Sequence, residues 1–374
     1  MMNTRWSLLG LVLICIVTVP LACRKEPPAK TQPPTGSQTA KEELPVKNES
    51  PANPAEPKSE TPTPTDSPAT PAAVVAAGLK VPAGFKAKAG TDAEPYTKTG
   101  WAKEIVHEGT GMELVFIPAG SFQMGSPKSE QETATQEAKK RGFTPDFPNE
   151  GPQYEVRITR PFYMGRYEVT QGQWQKVMGT TVAEQRDKGD TLFPLAGEGD
   201  RHPMYSVSWD ECQEFLRKAG SGLRLPTEAQ WEYACRAGTK TQFSFGAESA
   251  DLWKYGNYCD KSNTNGFAWQ DKDHDDGHDK TAPAGSFKAN AWGLLDMHGN
   301  VWEWCSDWYG ADHYGKGENA DPTGPATGSD RVLRGGSWGN DPQGCRSATR
   351  TRCTPDGRGS NGGLRVVVPV GPGL

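Results

Sequence analysis

The sequence predicts an α+β domain with little regular secondary structure over residues 98–371, preceded by a disordered tether. Three observations predict it. The chain's 31 prolines crowd toward its first quarter, where aromatic residues are scarce. Beyond residue 97, Trp, Tyr and Phe come in short clusters separated by Gly, Pro, Asn and Asp. Helical periodicity is confined to three short stretches, and the strand-like runs are brief.

Residues 1–22 are expected to form a signal peptide. Arg5 supplies the positive start, and the apolar run 8–19 has the size of a signal-peptide core but is too short for a comfortable membrane span. The segment Pro20-Leu21-Ala22-Cys23 resembles a bacterial lipobox, with Ala22 as the small residue and Pro20 departing from the preferred Leu. That resemblance implies lipidation of Cys23 and an exported, membrane-anchored lipoprotein facing the periplasm or cell surface. Residues 23–97 are rich in Pro, Thr, Ala, Lys and Glu. Such a segment cannot bury enough apolar surface to offset chain entropy, so it is expected to act as an extended tether, the mildly apolar run 72–77 included.

In the domain, helices are expected over 171–178, 209–218 and 227–236. Thr170, Ser208 and Thr227 are their caps, and Gln230 stands where a capping box places its partner. Strands are expected over 114–117, 154–158, 162–164, 332–333 and 364–368. Trp302, Trp304, Trp308 and Trp338 are read as core, because a loop-rich fold needs large buried side chains. Arg346, Arg350, Arg352 and Arg365 are read as structural partners of carboxylates, with Asp307 and Asp356 as candidates, ahead of a cleft for an anionic ligand.

A net charge of -5 and the lack of a basic stripe argue against a nucleic-acid partner. Of 8 cysteines, Cys212, Cys235, Cys259, Cys305, Cys345 and Cys353 fall in the domain; none forms a Cys-x-x-Cys pair, so a zinc ribbon or thioredoxin-like site is not expected. No nucleophile elbow, P-loop or dinucleotide fingerprint is present.

The densest motif is Asp296-Met297-His298-Gly299-Asn300-Val301-Trp302-Glu303-Trp304. Before it come 111–120, Tyr167-Glu168-Val169-Thr170 and 223–233. After it come Gly335-Gly336-Ser337-Trp338 and Asn361-Gly362-Gly363-Leu364-Arg365. This ordered series resembles the formylglycine-generating enzyme, or sulfatase-modifying factor, family over nearly the whole domain. The resemblance implies a C-type-lectin-like fold. Asp296 and Glu303, two carboxylates flanking a Gly-containing loop, are also the hard oxygen ligands that calcium takes. The family match assigns a calcium site to the side chains of Asp296 and Glu303 with the carbonyls of Gly299 and Val301. A second site maps to the side chains of Asn257 and Asp276 with the carbonyls of Tyr258 and His278.

The resemblance further implies a copper(I) oxidase that uses two cysteines five positions apart, shortly after Gly-Gly-Ser. Counting forward from Gly335-Gly336, those positions fall on Asn340 and Cys345. Counting backward from Arg346 and Arg350, the loop is about three residues short and Cys345 stands beside the catalytic position. One thiolate is missing either way, so copper binding and formylglycine generation are not expected. Cys345 is the one catalytic candidate, set against a structural role in a disulfide or as a buried thiol. His274 and His278 share a spacing with the iron ligands of a sulfoxide synthase branch, but Lys280 replaces the required acid and the setting is an acidic loop. The expected function is therefore a non-catalytic or divergent, calcium-stabilised binding module for an envelope protein or glycan. The alternative is an oxygen-dependent oxidoreductase that converts a sulfatase cysteine to formylglycine or performs a related oxidation.

Overall fold

The computed structural model describes residues 73–76, 78–142, 147–189, 194–317 and 319–370. The signal segment, Cys23, most of the tether and Gly371 lie outside the described residues. The strands, in chain order, are β1 (Ala73–Ala76), β2 (Leu79–Pro82), β3 (Phe85–Ala87), β4 (Glu104–His107), β5 (Glu113–Ile117), β6 (Gly120–Met124), β7 (Tyr154–Ile158), β8 (Phe162–Gly165), β9 (Trp302–Trp308), β10 (Arg331–Arg334), β11 (Arg350–Cys353), β12 (Gly362–Gly363) and β13 (Val367–Pro369). The helices are α1 (Lys128–Lys140), α2 (Gln171–Met178), α3 (Val182–Asp187), α4 (Trp209–Ala219) and α5 (Glu228–Arg236).

The expected tether boundary at residue 97 is corrected. β1 and β2 form an antiparallel hairpin, and β3 is the edge strand of a five-stranded antiparallel sheet ordered β13-β8-β5-β4-β3. Val81 and Phe85 are buried with Trp101 and Ala102. Two apolar side chains four residues apart suffice here because Gly78 and Gly84, both with φ near +80°, turn the chain back onto the sheet. Against a background of Pro, Ala and Lys, that spacing carries little sequence signal.

β5 shows why its sequence is a continuous apolar run. Leu114 and Phe116 enter one core with Tyr163, Trp174, Phe215 and Trp304, while Val115 and Ile117 enter another with Val156, Trp231, Met297 and Cys305. A strand buried on both faces cannot alternate with polar residues. β6 and β7 pair as a separate hairpin, and β11-β10-β9-β12 form a four-stranded sheet in which only the β12–β9 contact is parallel.

The three expected helices form, each with a complete capping box at Thr170, Ser208 or Thr227. The sequence reading did not anticipate α1 and α3. The buried face of α1 consists of Gln131, Ala134 and Ala138, too small a stripe to show as hydrophobic periodicity. β9, over Trp302–Trp308, is a further strand that the sequence does not announce. The expected strand over 364–368 is corrected: residues 367–368 alone fall in a strand, and a further short strand precedes them at 362–363. Gly362–Gly363 pairs with β9 and Val367–Pro369 with β8, so residues 364–366 cross from one sheet to the other.

Trp302, Trp304 and Trp338 are buried, whereas Trp308 is half-buried with its ring 3.4 Å from the Arg331 guanidinium carbon. Three of the arginines read as structural partners are ion-paired with glutamates. Arg346 pairs with Glu150 and Glu130, Arg350 with Glu228 and Arg365 with Glu303. Arg352 lies over the Tyr309 ring. The ion-paired carboxylates come from distant segments, which proximity in sequence does not show.

Candidate functional site

The first site forms where the two sheets meet. Asp296 sits in a left-handed turn (φ +58°) leading toward β9, and Glu168 lies between β8 and the cap of α2. Arg365 sits on the crossover between β12 and β13. All three are buried, as is Glu303 on β9. Arg365 holds Glu303 with both Nε and Nη2, at 2.7–3.0 Å, and donates to the carbonyls of Gly165 (2.8 Å) and Leu295 (2.9 Å). Trp231 Nε1 adds a third donor to Glu303 at 2.7 Å. Glu303 is therefore already engaged by donors.

Glu168 and Asp296 differ from it. Asp296 Oδ2 accepts the Gly285 N–H at 2.6 Å, but Oδ1 has no partner, nor does either oxygen of Glu168. Burial pushes both groups up: Glu168, raised further by the charge of Asp296, rises well above the usual carboxylate range, and Asp296 rises to about 6. Two buried carboxyls with three partnerless oxygens between them need a shared proton or a cation. Among the described residues no group of three or more His, Cys, Asp or Glu side chains forms a ready-made metal cage. A cation here would draw on Glu168 and Asp296 and complete its shell from carbonyls such as those of Gly299 and Val301, as hard cations do. Residue type and spacing do not mark Glu168 as a ligand, because its burial without a donor arises only in three dimensions.

The second set also comes together. Asp276 accepts from the N–H groups of Tyr258 (3.3 Å) and His278 (2.9 Å) and from Ser262 Oγ (3.2 Å). Asn257 donates through Nδ2 to the Lys280 carbonyl at 2.6 Å and to Asn300 Oδ1 at 3.1 Å, while its Oδ1 has no partner. The structure adds Asp260, which accepts from Ser262 and from the Asp276 N–H. Burial, with the charge of Asp260 beside it, raises Asp276 to about 7. Unlike the first site, the oxygens of Asp260 and Asp276 all accept hydrogen bonds, and Asn257 Oδ1 is the partnerless oxygen that a cation beside the two aspartates would take. His274 is held by Asp271 through Nδ1 at 2.9 Å.

The Gly-Gly-Ser-Trp loop covers Cys345, the last residue of a 3₁₀ turn over Pro342–Cys345. Gly336 has φ +77°, and a Cβ built there would lie 2.7 Å from Cys345 Sγ and 2.8 Å from the Gly344 carbonyl, so only glycine fits. Cys345 is a fully buried free thiol, and burial raises its pKa well above the usual thiol range. Asn340, the other position in the forward count, is held by Ser337 Oγ at 2.7 Å. Its carbonyl accepts the Cys259 N–H at 2.8 Å, which brings a second buried free thiol to the loop, with its pKa pushed up to about 12 by burial. Both thiols are neutral, and neither has the electropositive, accessible setting of a reactive cysteine. His298 anchors the loop. Its Nε2 accepts the Ser244 N–H at 3.1 Å, so Nδ1 carries the proton and donates to the Cys345 carbonyl at 2.9 Å.

Residues 102–370 match the sulfatase-modifying factor enzyme 1-like domain family. A formylglycine-generating enzyme from Streptomyces coelicolor is 33% identical over 301 residues, covering 67% of this chain and 87% of that protein. The formylglycine-generating enzyme of Mus musculus is 32% identical over 304 residues, covering 68% and 74%. The solved structure of PvdO from Pseudomonas aeruginosa superposes with a TM-score of 0.55 at 29% identity, covering 70% of this chain and 95% of that one.

Proposed function

The chain belongs to the sulfatase-modifying factor enzyme 1-like family, and from that premise we propose that it is a divergent, non-catalytic member. In this reading it is a calcium-stabilised binding module, anchored in the bacterial envelope through Cys23 and displayed on its Pro-rich segment to an envelope protein or glycan. The observation that carries the non-catalytic reading is the cysteine loop. Asn340 stands at one expected catalytic position, and the thiol at the other, Cys345, is sealed under Gly336 and neutral. Soft-metal oxidation needs two thiolates converging on one ion.

Calcium is supported by the three partnerless oxygens of Glu168 and Asp296 and by the Asp260–Asp276 pair with Asn257 Oδ1. Calcium bound there would neutralise carboxylates that otherwise repel one another across the junction of the two sheets. Arg365 would then orient Glu303, and Gly285 N–H would orient Asp296.

The activity test is incubation of the protein with a sulfatase peptide bearing Cys-x-Pro-x-Arg, copper and oxygen, followed by mass spectrometry. The expected result is unchanged cysteine; conversion to the aldehyde would overturn the non-catalytic reading. Labelling with a radioactive fatty acid should mark the wild-type chain and not Cys23→Ser, and equal labelling of both would remove the anchor.

A further inference from the structure

Away from the cation centres, a cavity of about 370 Å³ opens between the C-terminal end of α1, the 242–249 loop and the 3₁₀ turn that ends at Cys345. Its lining is mostly polar and carries two acids, Glu137 and Glu248, and two bases, Lys140 and Arg141. Gln343, only 3% exposed, forms part of its wall. The Gln343 amide has a fixed orientation: Nε2 donates to Glu137 Oε2, and the Gln343 carbonyl is held by Arg346 Nε (3.1 Å) and Thr349 Oγ1 (3.0 Å). Oε1 then has no donor, and Nη1 of Arg141, another residue of the lining, has no acceptor. Asp341, two residues before Gln343, spends Oδ1 on the Gly344 N–H at 3.1 Å and leaves Oδ2 buried and partnerless. It lies close enough to Arg141 for the guanidinium to favour its charge.

Arg141 Nη1 and Gln343 Oε1 are buried, unpaired atoms of two residues that line one cavity, and such atoms are costly unless a partner reaches them. A simple anion would satisfy Arg141 and Lys140 but meet Glu137, Glu248 and the orphan Gln343 oxygen. A metal cation would meet the two bases. The complement of this wall is a small dipolar molecule with an anionic acceptor at one end and a cationic donor at the other. The volume is at the low end of the range for ligand pockets, roughly 300–1,000 Å³. We propose that this pocket binds a zwitterion of the amino-acid class, its carboxylate on Arg141 and Lys140 and its ammonium on Gln343 Oε1 and the neighbouring acids. A free amino acid and a short unblocked peptide share that chemistry. The pocket uses none of the cation-centre residues, so it stands or falls separately from the calcium reading.

The test is calorimetric titration of the full chain with two panels, free L-amino acids and unblocked dipeptides, each in calcium and again with chelator. Saturable binding to a member of either panel is expected, and which panel responds identifies the source. N-acetylation or C-terminal amidation of that ligand, or Arg141→Gln, should weaken binding at least about tenfold. Lys140→Ala and Glu248→Gln, both at exposed positions, should weaken it several-fold without moving Tm, which keeps the test valid if Arg141→Gln folds poorly. The proposal is overturned by no saturable binding from either panel in the millimolar range, by binding indifferent to blocking or to these substitutions, or by a ligand-soaked crystal holding only ordered water between Arg141 and Gln343.

Discussion

Glu168→Gln should change stability with opposite sign in the absence and presence of calcium. In wild-type protein without calcium, Glu168 is a buried carboxyl with no donor to either oxygen, facing Asp296 across a site that only a shared proton can relieve. A buried unsatisfied polar group costs about 1–3 kcal/mol, more when charged. The amide keeps the side chain's shape, removes the charge and can donate to Asp296 Oδ1. Glu168→Gln should therefore be as stable as wild type or more so in chelator. With calcium at a hundredfold excess over its Kd, wild type gains about 2.7 kcal/mol by mass action. The variant loses a charge from a site where Glu168 supplies two of the three partnerless oxygens. If its affinity falls about a hundredfold, the same calcium concentration stabilises it by only about 0.4 kcal/mol. Urea unfolding of both proteins, with calcium and with chelator, gives the four stabilities needed. Equal calcium stabilisation of the two proteins would refute the assignment of Glu168 as a ligand. No calcium effect on wild type would refute a cation at either centre.

Three further predictions follow from the same geometry. Burial holds His298 near pKa 4, against an ordinary value of 6.5, so the unfolded chain takes up a proton between those values that the native state refuses. Its contribution to stability should thus be lost as pH falls from about 6.5 to about 4, by up to about 1.4 kcal/mol per pH unit; His298→Gln should flatten that part of the stability profile, and an unchanged slope would contradict it. Arg346→Met strands Glu150, which Arg346 contacts at 2.7 and 2.9 Å inside the protein, and should cost about 3–5 kcal/mol in urea unfolding, partly recovered by adding Glu150→Leu. Gly336→Ala combines an unfavourable φ with contacts below 3.0 Å to Cys345 and Gly344; a Tm within a degree of wild type would show that the loop can move aside.

The capped helices were legible because capping is local: Thr170, Ser208 and Thr227 each stand three residues before the side chain that completes their box. β5 and β8 were legible because apolar runs that short fit buried strands. α1 was not, since two alanines and a glutamine make its buried stripe, and β3 was not, since its one large apolar residue is Phe85. The set Asn257, Tyr258, Asp276 and His278 could be named in advance because the family resemblance carries it over position by position, and the structure brings its members together. Asp260 beside them went unassigned, since three-dimensional contact with Asp276 is what gives it a part.

The sequence by itself determined the family, the order of the motifs and the break in the cysteine pair. Those properties reside in residue identity and spacing, and no folding is needed to read them. Only the tertiary structure decided which charges are paired and which are stranded. Arg365 reaches Glu303 because the chain crosses between two sheets at residues 364–366, and that contact spans sixty-two positions. Glu168 and Oδ1 of Asp296 are left without a donor, Arg141 Nη1 without an acceptor and Gln343 Oε1 without a donor, because burial removes the water that would have satisfied them. Desolvation depends on what surrounds an atom in space, and a linear chain does not specify those surroundings until it folds.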